Sequence, residues 1–171
     1  MLLSNEDIKK LVKEGKIIFS PPISEDQIGQ ASVDLTLSNE FWIFRKGIRR
    51  VIDVKKVRHE DISEKIIADE ITLASGQMVL GKTVERIKLP LDIAGRLEGR
   101  STYARMGVAV HITSGAIQPG SDNRQVLEIV NLSPYSIKLC KGLRLCQVFF
   151  EKLESATTKP YAKFGRIAIG Q

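Results

Sequence analysis

Paired arginines, neighbouring hydroxyls and a strand-borne carboxylate fall within one short stretch, Gly99 to Asn131, reading GRSTYARMGVAVHITSGAIQPGSDNRQVLEIVN. In its first part Ser101 is placed to cap a short helix running through Met106, with Gly107 placed to end it. On such a turn Ser101 and Arg105 share a face. Arg100 then lies just outside the N-terminus, where unpaired amides and the helix dipole favour anions. Guanidinium groups grip phosphate oxygens in a forked geometry, so two arginines flanking a helix start suit a polyphosphate better than a carboxylate. The competing reading is a surface turn with two solvated arginines, and the turn alone does not choose. In VLEIV, period-2 alternation puts Val126, Glu128 and Val130 on one strand face and Leu127 and Ile129 on the other. A carboxylate among branched apolar neighbours is partly desolvated, which raises its pKa towards the range of a general base. An edge-strand charge placed against aggregation is the alternative.

Other chemistries are poorly served by the sequence. A zinc-dependent deaminase uses a histidine or cysteine near a glutamate together with a C-x-x-C pair, and the chain has neither. His59-Glu60 does not replace that set. No G-x-x-x-x-G-K loop occurs, and no serine pairs convincingly with a histidine. His111, between Val110 and Ile112, reads as a hydrogen-bonded structural histidine, and no protein-bound metal is implied.

The elements that must position these groups read as strands. At 171 residues, with 43% hydrophobic and 27% charged residues, the chain suits a single domain with a proper core. Leu3 to Gly15 predicts a helix with Ser4 as N-cap, Asp7 three residues on, and a buried stripe of Ile8, Leu11 and Val12. Ala31 to Leu37 alternates as a strand, continued by Phe41 to Phe44, and Val51 to Val57 predicts another. Arg58 to Glu70 reads as a loop or an irregular helix. From Ile71 short strands follow one another between turn signals such as Ser75-Gly76, Pro119-Gly120 and Lys141-Gly142, the spacing of a sandwich or barrel. If the last turn closes a two-residue hairpin, Cys140 and Cys146 are not opposite one another and act as small buried side chains. Residues 154–171 lack periodicity and predict a mobile tail. No apolar run approaches a membrane span and the N-terminus has no signal-peptide core, so a cytoplasmic protein without a membrane partner is expected. The net charge of +6 fits an anionic partner. Scattered basic residues and 6% aromatics suit a phosphorylated small molecule rather than a nucleic acid.

Taken together, GRSTYARMGVAVHIT, the I-x-P-G turn from Ile117 to Gly120 and VLEIVN resemble the core of the dCTP deaminase branch of the dUTPase-like superfamily. QASVDLTL, TVERIKLP, GLRLCQVFFEKL and a Tyr-x-Lys tail extend the resemblance over most of the chain. It implies a mainly β, dUTPase-like distorted β-barrel or jelly-roll with a short N-terminal helix. It also implies metal-free hydrolytic deamination of dCTP to dUTP and ammonia, with Glu128 as the base and Ser101 and Arg105 positioning water and substrate. Substrate contacts are implied for Arg100 through Arg105, including Thr102, Tyr103 and Ala104, and for Gln118, Val126, Leu127 and Gln147. Tyr161 and Lys163 are implied as a tail closing over the phosphates. The partners implied are dCTP-, dUTP- or dTTP-type nucleotides carrying Mg2+ with the triphosphate, without zinc, and a homotrimer with composite sites.

The loop SGAIQPGSDN departs from that pattern. Gln118 stands where the superfamily usually has an aspartate that activates water for dUTP hydrolysis, Ser121 where an aromatic residue commonly follows Pro-Gly, and Gly115 and Ala116 where a bulky basic pair is usual. Gln118 argues against the diphosphatase reaction, although its amide can still hydrogen-bond a sugar. Three functions remain open at this point: a dCTP deaminase, a dUTP diphosphatase, and a nucleotide-binding trimer without catalysis.

Overall fold

The computed structural model describes residues 1–45, 51–111 and 113–165. The N-terminal helix α1 spans Asn5–Lys13. Its start follows from the sequence: the Ser4 hydroxyl accepts from the Asp7 N–H at 3.3 Å, and the Asp7 carboxylate accepts from the Ser4 N–H at 3.0 Å, a reciprocal cap. Ile8 is fully buried, with Leu11 and Val12 packed beside it. Among the described residues the other α-helices, α2 (His59–Ile62), α3 (Ser101–Ala104) and α4 (Tyr161–Phe164), are single turns, and a 3-10 turn covers Glu25–Gln27.

Eleven strands make up most of the described chain: β1 (Ile18–Ser20), β2 (Ser32–Phe44), β3 (Ser63–Ile67), β4 (Glu70–Leu73), β5 (Met78–Lys88) and β6 (Ile93–Gly99), then β7 (Val108–Val110), β8 (Ala116–Ile117), β9 (Asp122–Asn131), β10 (Ile137–Cys140) and β11 (Arg144–Lys152). Nine form one sheet ordered β7-β9-β5-β2-β11-β6-β8, with β1 on β5 and β3 on β2. Strands β10 and β4 pair separately. The mainly β architecture with a short N-terminal helix is the one expected. Along β2, Val33, Leu35 and Leu37 are buried as the alternation requires, and they meet Leu127 and Ile129 of β9 and Phe150 of β11 in one core.

Three local expectations are corrected. Val51 to Val57 is not a strand: Asp53 organises a turn, its carbonyl accepting from Lys56 and Val57 and its carboxylate from Lys55. A short acidic side chain that captures backbone donors in this way competes with strand pairing. Arg58 to Glu70 holds α2 and then β3, which pairs with the far half of β2. The Lys141-Gly142 turn does not close a hairpin, since its N–H groups donate to Asp69 and Leu37 while β10 and β11 pair with different partners. Cys140 and Cys146 are both free thiols, and burial pushes the Cys146 pKa up.

Two pairings change register at one place. On β2 the register moves between Leu37↔Thr83 and Phe41↔Gly81, and on β5 between Lys82↔Val126 and Arg86↔Arg124, each strand carrying two extra residues. Side chains satisfy the backbone there. The Thr83 hydroxyl donates to the Glu85 carbonyl at 2.9 Å and accepts from the Gln125 N–H at 3.0 Å. Buried Glu85 accepts from the Thr36 N–H and the Gln27 amide.

Beside this bulge Glu40 of β2 ties three strands together, accepting from Lys65 of β3 at 2.7 Å and from Arg124 of β9. The Lys65 hydrogen bond, helped by Arg124 and opposed by burial, holds the Glu40 carboxyl at about 2. Its folded pKa lies below the unfolded one, so its stabilisation is present above about pH 4.5 and is lost as pH falls towards about 2. Glu40→Gln is expected to cost about 2–3 kcal/mol near neutral pH and much less at pH 2. Urea unfolding of both proteins across that range checks this, and a difference independent of pH would contradict it.

The chain after Leu153 is tied back over part of its length. Thr157 donates to Leu91, and Tyr161 and Ala162 donate to Pro119 and Gly120. The residues expected to follow as a tail from 166 to 171 lie outside the described residues.

Candidate active site

The arginine turn is a single turn, with Arg100 in the cap position and Ser101 as the first helical residue rather than the cap. Strand β6 ends at Gly99, so the chain enters α3 one residue earlier than the hydroxyl pattern implied. Gly107 closes the turn at φ +83, where an L side chain is strained. A Cβ there would also lie 2.8 Å from the backbone nitrogen of Ser133, at the end of β9. Ser101, Thr102, Ala104 and Arg105 are exposed, and Tyr103 packs against the core.

Arg100 is anchored. Its guanidinium contacts the Asp34 carboxylate at 3.1 Å and donates to the Arg144 carbonyl at 2.8 Å, while Arg144 reaches Asp26 at 2.7 Å. Burial pushes the Asp34 pKa up, and the charges of Arg100 and Arg144 pull it back. A guanidinium has five N–H donors, so these two contacts fix its plane and leave others for an anion. Gln147 lies next to this group, its amide donating to the Gly99 carbonyl at 3.2 Å and accepting from Ser32 at 2.8 Å.

On β9, Leu127 and Ile129 are fully buried while Val126, Glu128 and Val130 lie half-exposed on the other face, the alternation read from the sequence. Glu128 is gripped by Thr113, whose N–H donates to one carboxylate oxygen at 3.0 Å and whose hydroxyl lies 2.5 and 2.6 Å from the two oxygens. A carboxylate has about four lone-pair positions, so acceptor capacity remains for a water. The Glu128 carbonyl accepts from the His111 N–H at 3.1 Å, just where β7 ends. Backbone groups alternate in direction along a strand. Those of Val126 therefore face the same side beyond the end of β7, whereas those of Leu127 face β5.

His111 is not the hydrogen-bonded histidine expected. It sits at φ +54, and both ring nitrogens are buried without a hydrogen-bond partner among the described residues, although the Ser114 backbone lies close. Burial lowers its pKa, against the raising effect of the Glu128 charge.

A cavity of about 750 Å³ borders this strand, within the size range of small-molecule sites. It brings together Gln118, Val126 and Tyr161 from the expected set with Lys82, Ser121 and Gln125, and extends to Trp42 and His59. Ser101, Arg105, Glu128 and Lys163 are not among its lining residues. Sequence reasoning missed Lys82, opposite Val126 on β5, whose pKa is lowered by burial and by the charge of Arg124 against the raising effect of Glu40. It also did not foresee the hold of Asp34 on Arg100, although Asp34 sits on the polar face of a strand whose alternation was plain. No group of three or more His, Cys, Asp or Glu side chains is gathered among the described residues, and no described helix is long and apolar enough to cross a membrane.

The chain is similar over most of its length to proteins of known family. A dCTP deaminase from Rhodospirillum rubrum is 40% identical over 171 residues, covering 95% of this chain and 88% of that protein. A protein named dCTP deaminase, dUMP-forming, from Dictyoglomus turgidum is 40% identical over 167 residues, covering 95% and 86%. Among solved structures, a 2'-deoxycytidine 5'-triphosphate deaminase from Agrobacterium tumefaciens superposes with a TM-score of 0.70 at 20% identity. It covers 88% of this chain and 48% of that one, so the chain spans about half the length of that protein, and the likeness is one of fold. The family described as dCTP deaminase-like matches residues 2–153, and with these relatives it establishes that the chain belongs to the dCTP deaminase-like family.

Proposed function

We propose that the chain deaminates dCTP hydrolytically to dUTP and ammonia, with Glu128 as the general base. The observation that carries this reading is a half-buried carboxylate, held by Thr113 two residues along β9 from Val126, which lines a nucleotide-sized cavity, in a chain 40% identical to a dCTP deaminase. Water adds to the amino-bearing carbon of the cytosine, and Glu128 takes its proton and delivers it to the ring and the leaving ammonia. The Val126 backbone and Gln118 contact the nucleotide, and Tyr161 and Lys163 of the tail close over it. Arg100, held in plane by Asp34, binds the triphosphate, whose Mg2+ arrives as part of the substrate.

Ser101 and Arg105 are exposed and lie outside the cavity that gathers Gln118, Val126 and Tyr161. This separation supports a homotrimer in which one copy supplies the arginine turn and a neighbour the cavity. A cytoplasmic location agrees with two unbridged thiols.

A second reading, in which dUTP is carried on to dUMP and pyrophosphate, is favoured by the dUMP-forming relative. Gln118 opposes it, because an amide does not take a proton from water at neutral pH. Incubation with dCTP and with dUTP, resolving ammonia, dUTP, dUMP and pyrophosphate, is expected to give ammonia and dUTP from dCTP and essentially no pyrophosphate. Stoichiometric dUMP and pyrophosphate from dUTP would replace the first reading by the second.

A further inference from the structure

Ser121 lies in the wall of the cavity and is 1% exposed, and its hydroxyl meets no hydrogen-bond partner among the described residues. Both of its backbone groups are committed, the N–H to the Gln118 carbonyl at 3.2 Å and the carbonyl to the Leu89 N–H at 2.9 Å. A buried hydroxyl left unpaired costs about 1–3 kcal/mol, so such a group is satisfied by a water or by whatever enters the cavity. Gln118, Gln125 and Tyr161, which line the cavity with it, contribute neutral groups that both donate and accept. Those groups suit hydroxyls. Phosphates are better served by Arg100, and the base by the strand that carries Val126 and Glu128. The part of a nucleotide left for this wall is the sugar.

We infer that the cavity accepts a ribose as well as a deoxyribose, the Ser121 hydroxyl pairing with the sugar 2'-hydroxyl, so that the chain deaminates CTP to UTP. The inference rests on the reading of the chain as a nucleotide deaminase and extends its substrate class to pyrimidine ribonucleoside triphosphates. Gln118 pairs with the hydroxyl that both sugars share, while the 2'-hydroxyl satisfies the orphaned serine. A water oxygen bonds to the amino-bearing ring carbon, the carbon–nitrogen bond breaks, and the nitrogen leaves as ammonia with the proton taken from the water. CTP and water give UTP and ammonia with no change of oxidation state.

The test compares CTP with dCTP, each with Mg2+, on the full chain and on Ser121→Ala, by ammonia release and by calorimetric binding. The substitution removes a hydroxyl that has no hydrogen-bond partner among the described residues, so the variant keeps its fold, which its melting temperature verifies. The expected result is turnover of both nucleotides by the unaltered chain. The ratio of CTP to dCTP kcat/KM, and the matching ratio of affinities, should fall about tenfold in Ser121→Ala, the effect of one lost hydrogen bond. Turnover of dCTP without binding or turnover of CTP overturns the inference and leaves the deaminase reading standing. So does a ratio that Ser121→Ala does not change, which would assign the serine to a bound water. Ammonia from neither nucleotide overturns the deaminase reading itself, and the affinity ratio then decides the sugar contact alone.

Discussion

Glu128→Gln is expected to reduce deamination by about a hundredfold or more while the protein folds and binds nucleotide. The amide keeps the length of the side chain and still accepts from Thr113, so the contacts that hold the group on β9 largely survive. What is lost is the capacity to take a proton from water. Steady-state ammonia release, read beside nucleotide binding and the unfolding midpoint, separates these effects. A variant that keeps most of the unaltered rate removes Glu128 from the mechanism, and one that loses binding and stability together makes it a structural residue.

Gly107→Val is expected to cause a large loss of stability from a position outside the core. Two costs combine: a branched side chain at φ +83, and a Cβ 2.8 Å from both the nitrogen and the Cβ of Ser133. Backbone strain of this kind and overpacking each cost about 1–3 kcal/mol, so a loss of about 2–5 kcal/mol follows. For a chain of this size that lowers the melting temperature by roughly 5–15 °C. Neither cost has an easy escape, because the Gly107 carbonyl accepts from Leu132 at 2.7 Å and its N–H donates to Ala104 at 3.0 Å. Thermal unfolding checks the figure, and a variant as stable as the unaltered chain would place the turn elsewhere.

What the sequence made legible was local. The cap on α1 and the alternation of β2 and β9 depend on neighbours a few residues apart, and each stands where its pattern placed it. What it hid depends on distant partners. Lys141-Gly142 has the composition of a hairpin turn, yet its donors go to Asp69 and Leu37, and the strands on either side follow different neighbours. Strand β3 exists because the far half of β2 offers it an edge, which SEKII alone does not reveal. Within the candidate site, Glu128 stood out as a charge on an apolar strand, but the Thr113 grip crosses 15 residues. The Asp34 hold on Arg100 joins β2 to the arginine turn across the sheet. Ser121 was visible as a departure from the family pattern, and its orphaned hydroxyl appears once Leu89 and Gln118 claim its backbone.

The coincident register changes of β2 and β5 carry a consequence for how related genes vary in length. Each adds two residues, and an even number leaves every side chain beyond the bulge on its original face. Loss of a single codon between Leu37 and Phe41 would turn Phe41 outward, and between Lys82 and Arg86 it would turn Ile87 outward, exposing a core residue in either case. Insertions and deletions inherited at these two places should therefore come in pairs of codons. Single-codon changes should be confined to the turns between strands and to the start of β11, where one extra residue already sits between Arg144 and Cys146 opposite Thr36 and Leu35.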